Sequence, residues 1–148
     1  MNRTSILIAA AAAFAGLAAA KSLQLKDLAA AVQKTVTEQT RGAEIKTISR
    51  ETEKGVTQYE IETMVNGRHR DFSVDTKGAL IVVEEETTLE SIPAPAKAAI
   101  EKKLAGGKLR MVESVTKGST TLYEAAYTTE AGKKAAVLVK ADGTETKD

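Results

Sequence analysis

The feature that most constrains this chain is a likeness between its two halves at a spacing of 64 residues. Tyr59-Glu60 returns as Tyr123-Glu124, and the flanking residues keep the same register. A fixed spacing is typical of a repeated structural unit, although chance similarity between two Ala-rich helices followed by strands is the alternative. We therefore interpret residues 21–86 and 87–148 as two copies of one unit. The other matches, with one residue gained before the last pair, are Leu28 with Ile92, Val32 with Ala96, Val36 with Ile100, Gly42 with Gly106, Ile45 with Leu109, Ile48 with Val112, Thr63 with Tyr127 and Gly78 with Gly143.

The first twenty residues have the layout of a secretory signal peptide. Arg3 gives a positive start, Ile6 to Leu17 is an uninterrupted apolar run, and Ala18 to Ala20 forms a small-residue cleavage site. An uncleaved anchor is the alternative, but a spanning helix needs about twenty residues and the uncharged run has sixteen. We therefore predict a signal peptide over residues 1–20 and an exported protein, periplasmic or extracellular. Because the chain has no Cys, the exported fold would hold no disulfide.

The charge balance argues against nucleic acid and membrane partners. Removal of residues 1–20 takes away Arg3 and no acid, which leaves 20 basic and 20 acidic side chains. Tight binding to nucleic acid or anionic lipid requires clustered Lys and Arg, and the basic residues here are mixed with acids along the chain. We expect no nucleic acid partner and no stable membrane insertion after cleavage.

Each half begins with a one-sided helix. Asp27 is the predicted N-cap of the first helix and Gly42 its end, whereas Ser91 is the predicted cap of the second, with Pro93 and Pro95 in its first turn. A one-sided helix needs a surface on which to pack. The predicted stripes are Leu28, Ala31, Val32, Thr35 and Val36 in the first helix, and Ile92, Ala96, Ala99, Ile100 and Leu104 in the second.

Strands follow each helix. Asn66-Gly67 is a hairpin signal between two alternating runs, and Glu84 to Ser91 is predicted to be a solvated connection between the halves, with a cation-binding or partner-binding edge as the alternative. The predicted fold class is α+β: a tandem duplicated helix plus a three- to four-stranded antiparallel meander, with the helices on one face of the sheet. The predicted strands are 45–52, 58–65, 68–74 and 79–83 in the first half and 109–115, 122–128 and 135–139 in the second.

These residues resemble the PepSY-like domain, an exported bacterial family also described as β-lactamase-inhibitor-like. The resemblance lies in the aliphatic-Pro pair Ile92-Pro93, a Gly-terminated helix, a strand with Tyr-Glu and the turn Asp75-Thr76-Lys77-Gly78, in that order, and it covers residues 25–148 as two copies. Leu28-Ala29 lacks the Pro, and Lys140 replaces the Asp of the turn. The resemblance implies an envelope protein that binds or restrains peptidases or other envelope proteins, and it supplies no catalytic residues.

The chain offers little material for catalysis. It has one His and no Cys, so a conventional metal site is not expected, and no cofactor motif is present. His69 with Asp71 and Glu60 could form an acid–base site, which gives the hypothesis of a hydrolase. The simpler interpretation is pairing of charged side chains across the hairpin.

The sequence therefore favours a non-enzymatic binding module. Inhibition or modulation of a peptidase or another envelope protein is the specific function that we consider for it. Its partner would be a protein or peptide that meets the sheet face opposite the helices, here called the outer face. The alternatives are a structural or stress-related envelope protein without a dedicated partner, and a homodimer or a sheet-on-sheet core formed through the same face. The outer face is predicted to carry Gln58, Glu60, Glu62, Met64, His69, Asp71 and Ser73 in the first half and Leu122, Glu124, Ala126, Thr128, Ala136 and Leu138 in the second.

Overall fold

A computed structural model describes residues 23–53 and 55–146, with the backbone alone at Glu53. The predicted signal peptide, residues 1–20, lies outside the described residues. Within those two ranges, no helix combines the length and hydrophobicity that crossing a bilayer requires.

The described residues form two helices and eight strands. The helices α1 (Ala30–Thr40) and α2 (Ala94–Leu104) have eleven residues each, and a short 3-10 turn, Leu25–Asp27, precedes α1. The strands follow one another in the sheet in chain order. They are β1 (Glu44–Glu53), β2 (Val56–Val65), β3 (Arg68–Asp75), β4 (Leu80–Thr87), β5 (Lys108–Lys117), β6 (Thr120–Thr128), β7 (Lys134–Lys140) and β8 (Glu145–Thr146).

The predicted fold class is wrong. Of the described residues, 52% lie in strands and 20% in helices, and the strands form one eight-stranded antiparallel sheet instead of a duplicated helix-plus-meander α+β fold. The prediction failed at the supposed connection, because β4 continues through the acidic residues to Thr87. Alternation in β4 places Val83 opposite Phe72 and Glu85 opposite Arg70, where Arg70 pairs with the Glu85 carboxylate. The predicted polar linker therefore begins as a strand, in which Glu85 forms an ion pair with Arg70 of β3.

The strands and helices divide into two compact units. In the first, residues 23–86 with 115–120, Val32 and Val36 of α1 are fully buried against the sheet. Because burying each such side chain contributes about 1.5–3 kcal/mol, this cluster supplies much of the free energy that holds α1 on the sheet. The buried cluster consists of Leu28, Val32, Val36, Ile48, Ile61, Phe72 and Val74.

The second unit comprises residues 87–114 and 121–146. Ala96 and Ile100 of α2 are fully buried, and Tyr123 packs partly buried against the same cluster. Tyr59 has the corresponding position in the first unit, so the prediction that both tyrosines lie under the helices is confirmed. The buried cluster consists of Ile92, Ala96, Ile100, Val112, Ala125, Tyr127, Val137 and Val139.

The predicted helix caps are wrong, whereas the helix ends and the hairpin are confirmed. The Asp27 carboxylate accepts a hydrogen bond from the Gln24 amide within the 3-10 turn, so α1 begins only after Ala29. At α2 the N-cap is Pro93, and the Ser91 hydroxyl bonds to Thr88 at 2.7 Å. Arg41 ends α1 in the left-handed conformation, followed by Gly42. Asn66 and Gly67 both have positive φ, as the predicted hairpin turn requires.

Candidate interaction face

Strand register places the predicted residues of the outer face on two strand pairs. In β2 and β3, Glu60 lies opposite Ser73 and Met64 lies opposite His69. Their sequence neighbours Tyr59, Ile61 and Phe72 belong to the core cluster under α1. Because side chains alternate along a strand, these outer-face residues point away from that cluster.

The strands β6 and β7 repeat this arrangement in the second unit. Glu124 lies opposite Leu138 and Ala126 lies opposite Ala136, whereas the intervening Ala125 and Val137 belong to the core under α2. Leu122 and Thr128 pair with Lys140 and Lys134 at the two ends of the ladder.

The outer face is unevenly exposed. Ser73 is 7% exposed, Glu124 4% and Leu138 7%, so these three side chains are buried. Glu62, His69 and Ala136 are exposed. The half-buried members are Gln58, Glu60, Met64, Asp71, Leu122, Ala126 and Thr128.

The part of the face on β2 and β3 is acidic. Glu60 and Glu62 alternate on β2, and Asp71 lies beside them on β3, opposite Glu84 of β4. β2 has no Lys or Arg, and the arginines of β3, Arg68 and Arg70, alternate onto the opposite face. An evenly mixed sequence composition thus folds into a sheet with segregated charge.

On this face, the carboxyl group of Glu60 has the most strongly shifted pKa. Burial raises the pKa of Glu60 to about 7, and the negative charge of Glu51, its hydrogen bond with Glu51, and the charges of Glu62 and Asp71 act in the same direction. Each cause disfavours the ionised form. Glu60 therefore keeps its proton in mildly acidic solution and loses it as the pH rises through neutrality.

The carboxyl group of Asp71 is the second one on this face whose pKa is shifted. Burial raises its pKa, with a smaller contribution from the charge of Glu62. Its Oδ1 accepts a hydrogen bond from the Thr63 amide at 3.0 Å, and this bond together with His69 opposes the shift. The Thr63 hydroxyl in turn donates to the Arg70 carbonyl, so side chains replace ladder hydrogen bonds between β2 and β3 at this point.

The structure does not bring His69 and Glu60 together. Glu60 lies opposite Ser73, four residues along β3 from His69, which is roughly 13 Å at about 3.3 Å per residue. That separation is too long for proton transfer through a hydrogen bond. Among the described residues, no group of three or more His, Cys, Asp or Glu side chains is placed to hold a metal ion.

Sequence reasoning missed a polar network at the end of α1. Arg70 donates to the Gln39 carbonyl at 2.9 Å, to the Gln39 side-chain oxygen at 3.1 Å and to Glu85 at 2.9 Å, while its guanidinium lies 5.7 Å from the centre of the Phe72 ring. It borders an open cavity of about 540 Å³ that is also lined by Arg41, Glu44 and Met64. The alternation of β3, which places Arg70 on the face of Phe72, was the available signal.

No known family model matches the sequence, and no curated protein matches it. A BLIP-like protein from Bacteroides fragilis NCTC 9343 matches in structure with a TM-score of 0.59 and 20% identity, over 80% of this chain and 83% of that chain. This chain has a BLIP-like fold.

Other solved structures share the BLIP-like fold. A DUF2874 family protein from Bacteroides uniformis ATCC 8492 matches with a TM-score of 0.66 and 15% identity, over 80% of this chain and 86% of that chain. A candidate periplasmic protein from Bacteroides eggerthii DSM 20697 matches with a TM-score of 0.67 and 14% identity, over 81% of this chain and 86% of that chain. At these identities the likeness is one of fold.

Proposed function

We propose that this protein is an exported, non-enzymatic binding module whose outer face docks on a protein or peptide of the cell envelope. The observation that supports it most is the outer face itself, where two strand pairs carry thirteen residues of mixed chemistry, ten of which are exposed or half-buried. Its BLIP-like and candidate periplasmic structural neighbours favour the same class of function and the same compartment. Inhibition of a peptidase or of another envelope protein is the specific form of binding that we infer.

The two parts of the outer face differ in the partner chemistry that each one favours. The β2–β3 part combines Glu60, Glu62 and Asp71 and favours a basic segment, because opposite potentials steer association. The β6–β7 part has the exposed Ala136 beside the half-buried Leu122 and Ala126 and favours an apolar one.

Export and the PepSY-like assignment belong to the same proposal. We infer that residues 1–20 direct secretion and are removed after Ala20. We also infer that residues 21–86 and 87–148 are PepSY-like repeats. This is supported by α1 and α2, which have equal lengths and begin 64 residues apart.

Capture from the native envelope tests the proposal. Mature protein is immobilised and its bound proteins are identified, first for wild type and then for Ala136→Arg and Glu62→Arg. Both positions are exposed, so these changes alter the outer face without opening the core. We expect each to reduce recovery of the wild-type partner about tenfold or more, the loss that 1.4 kcal/mol produces.

The matched controls are Ala98→Arg on α2 and Glu38→Arg on α1, which place the same new charges on exposed helix positions. They should bind as wild type does. Equal loss in the face and helix variants would contradict docking through the outer face. Failure of wild type to capture any reproducible partner would favour the structural or stress-related alternative.

A further inference from the structure

The first strand of the sheet is held on one side only. β1 has β2 as its single neighbour in the strand order, and its ladder is interrupted by a bulge between Ile45 and Thr47. On the other side, the Ile48 carbonyl accepts a hydrogen bond from the Leu23 amide at 3.0 Å. Among the described residues, the part of β1 beyond Ile48 is therefore paired with β2 alone.

Two carboxyl groups meet across that pairing. Glu51 lies opposite Gln58 and Ser49 lies opposite Glu60, so Glu51 and Glu60 are diagonal neighbours on the outer face. The two side chains hydrogen-bond to each other. A hydrogen bond between two carboxyl groups requires that one of them is protonated, because two carboxylates have no proton to donate.

The titratable groups around Glu60 are mostly acidic, and few positive charges offset them. β2 contributes Glu62, β3 contributes Asp71 and His69, and β4 contributes Glu84 beyond Asp71. His69 is exposed and lies four residues along β3 from the position opposite Glu60. β1 contributes Glu51, whereas its Arg50 lies opposite Tyr59 on the helix side.

We propose that Glu51 and Glu60 form a proton-controlled latch, in which one shared proton holds the outer half of β1 on β2 and its loss loosens that half. With the proton in place, the Glu60 O–H donates to the Glu51 carboxylate across the ladder. Without it, two carboxylates face each other beside Glu62 and Asp71. Their repulsion acts on the segment of β1 that, within the described part of the chain, has β2 as its one neighbouring strand.

The pH range follows from the environment of Glu60. Its pKa is raised to about 7 by burial and by the neighbouring acids, so the latch is closed in mildly acidic medium and opens as the pH rises through neutrality. The latch is independent of any partner, so its test and the capture experiment can fail separately.

Hydrogen exchange resolved at single amides tests the latch in the mature protein. Because the Ile48 carbonyl points away from β2, the amides that point toward β2 are those of Ser49 and Glu51. After correction for the intrinsic effect of pH on exchange, we expect their protection to fall about tenfold between pH 5.5 and pH 8. Amides of Ile61 and Phe72, in the centre of the sheet, should keep their protection.

Glu60→Gln supplies the decisive comparison. A Gln amide donates a hydrogen bond to Glu51 at every pH, so the protection of β1 should become independent of pH. Glu51→Gln should have the same effect and serves if the first variant does not fold. Glu38→Gln, on an exposed helix position, should retain the wild-type dependence.

Three results would overturn the latch. They are constant protection of Ser49 and Glu51 in wild type across this range, persistence of the pH dependence in Glu60→Gln, and titration of the Glu60 carboxyl carbon near pH 4.5 in an NMR experiment.

Discussion

Gly78 and Gly143 show how a single residue sets the distance between a turn and a helix. A Cβ at Gly78 would lie 2.6 Å from the carbonyl oxygen of Ala31, and a Cβ at Gly143 would lie 2.6 Å from that of Pro95. Both residues also have positive φ, at 89° and 84°. The Thr35 hydroxyl donates to the Gly78 carbonyl at 2.6 Å, which fixes the same contact from the helix side.

We predict that Gly78→Ala and Gly143→Ala each lower the free energy of unfolding by about 3 kcal/mol, measured by chemical denaturation. The loss combines the strain of a non-glycine residue at positive φ, about 1 kcal/mol, with separation of the turn from the helix backbone. Gly132→Ala is the matched control, because its φ is 76° and nothing lies within 4 Å of the added Cβ. It should lose only the strain, and equal losses in all three variants would exclude the contact as a cause.

The sequence predicted part of this residue-scale structure. It paired Gly78 with Gly143 and placed turns there, because a glycine within three residues after an Asp is typical of a tight turn. It did not reveal that each turn abuts a helix, since that contact joins segments more than forty residues apart. A local sequence pattern cannot predict a contact between segments so far apart in the chain.

At the scale of elements, Arg70 fastens the last turn of α1 to β3 and β4. Three hydrogen bonds and the Phe72 ring hold a guanidinium whose side chain is 19% exposed. We predict that Arg70→Lys costs about 1–2 kcal/mol, because a single ammonium cannot satisfy Gln39 and Glu85 with the geometry of the guanidinium fork. Arg68→Lys, exposed at the neighbouring hairpin, should cost less than 0.5 kcal/mol, the usual range for surface changes.

Thermal unfolding of both variants measures the difference, and amide exchange at Gln39 and Thr40 should accelerate in Arg70→Lys alone. Equal stability of the two variants would mean that the hydrogen bonds of Arg70 do not contribute to the free energy of unfolding.

Element boundaries were predictable where the local chemistry is decisive. Asn66-Gly67 fixed the hairpin and Gly42 the end of α1, because each needs a positive φ. The caps were not predictable in the same way. Asp27 is used inside a 3-10 turn, and Leu28 is extended so that its side chain enters the core before α1 begins.

At the scale of the whole molecule, the predicted fold class was wrong for a physical reason. Alternation and turn signals locate strands, but which strand edges pair depends on backbone groups that all sequences share. The acidic residues of β4 were interpreted as solvent-exposed linker because the pairing of Glu85 with Arg70 is visible only in the sheet. The outer face was deducible from alternation, whereas its charge segregation depended on the register of β1, β2 and β3.

That charge segregation predicts how global stability depends on pH. The pKa of Glu60 is raised to about 7 from a model-peptide value near 4.5, so the folded state binds a proton that the unfolded state has lost between these two values. Its contribution to stability is therefore fully present below about pH 4.5 and is lost as the pH rises to about 7. The raised pKa of Asp71 acts in the same sense.

Asp142 acts in the opposite sense at the acid end. Hydrogen bonding from the Thr144 amide lowers its pKa, so its contribution is lost only as the pH falls below the range in which an unfolded Asp titrates. We therefore expect maximum stability on the acid side of neutrality, with a decline from pH 5 to pH 8 in the denaturation midpoint of wild type. Glu60→Gln should flatten most of that decline, because the neutral amide has no proton to lose. Parallel wild-type and Glu60→Gln curves would show that Glu60 titrates alike in the folded and unfolded chain, and that the acidic face does not tune stability.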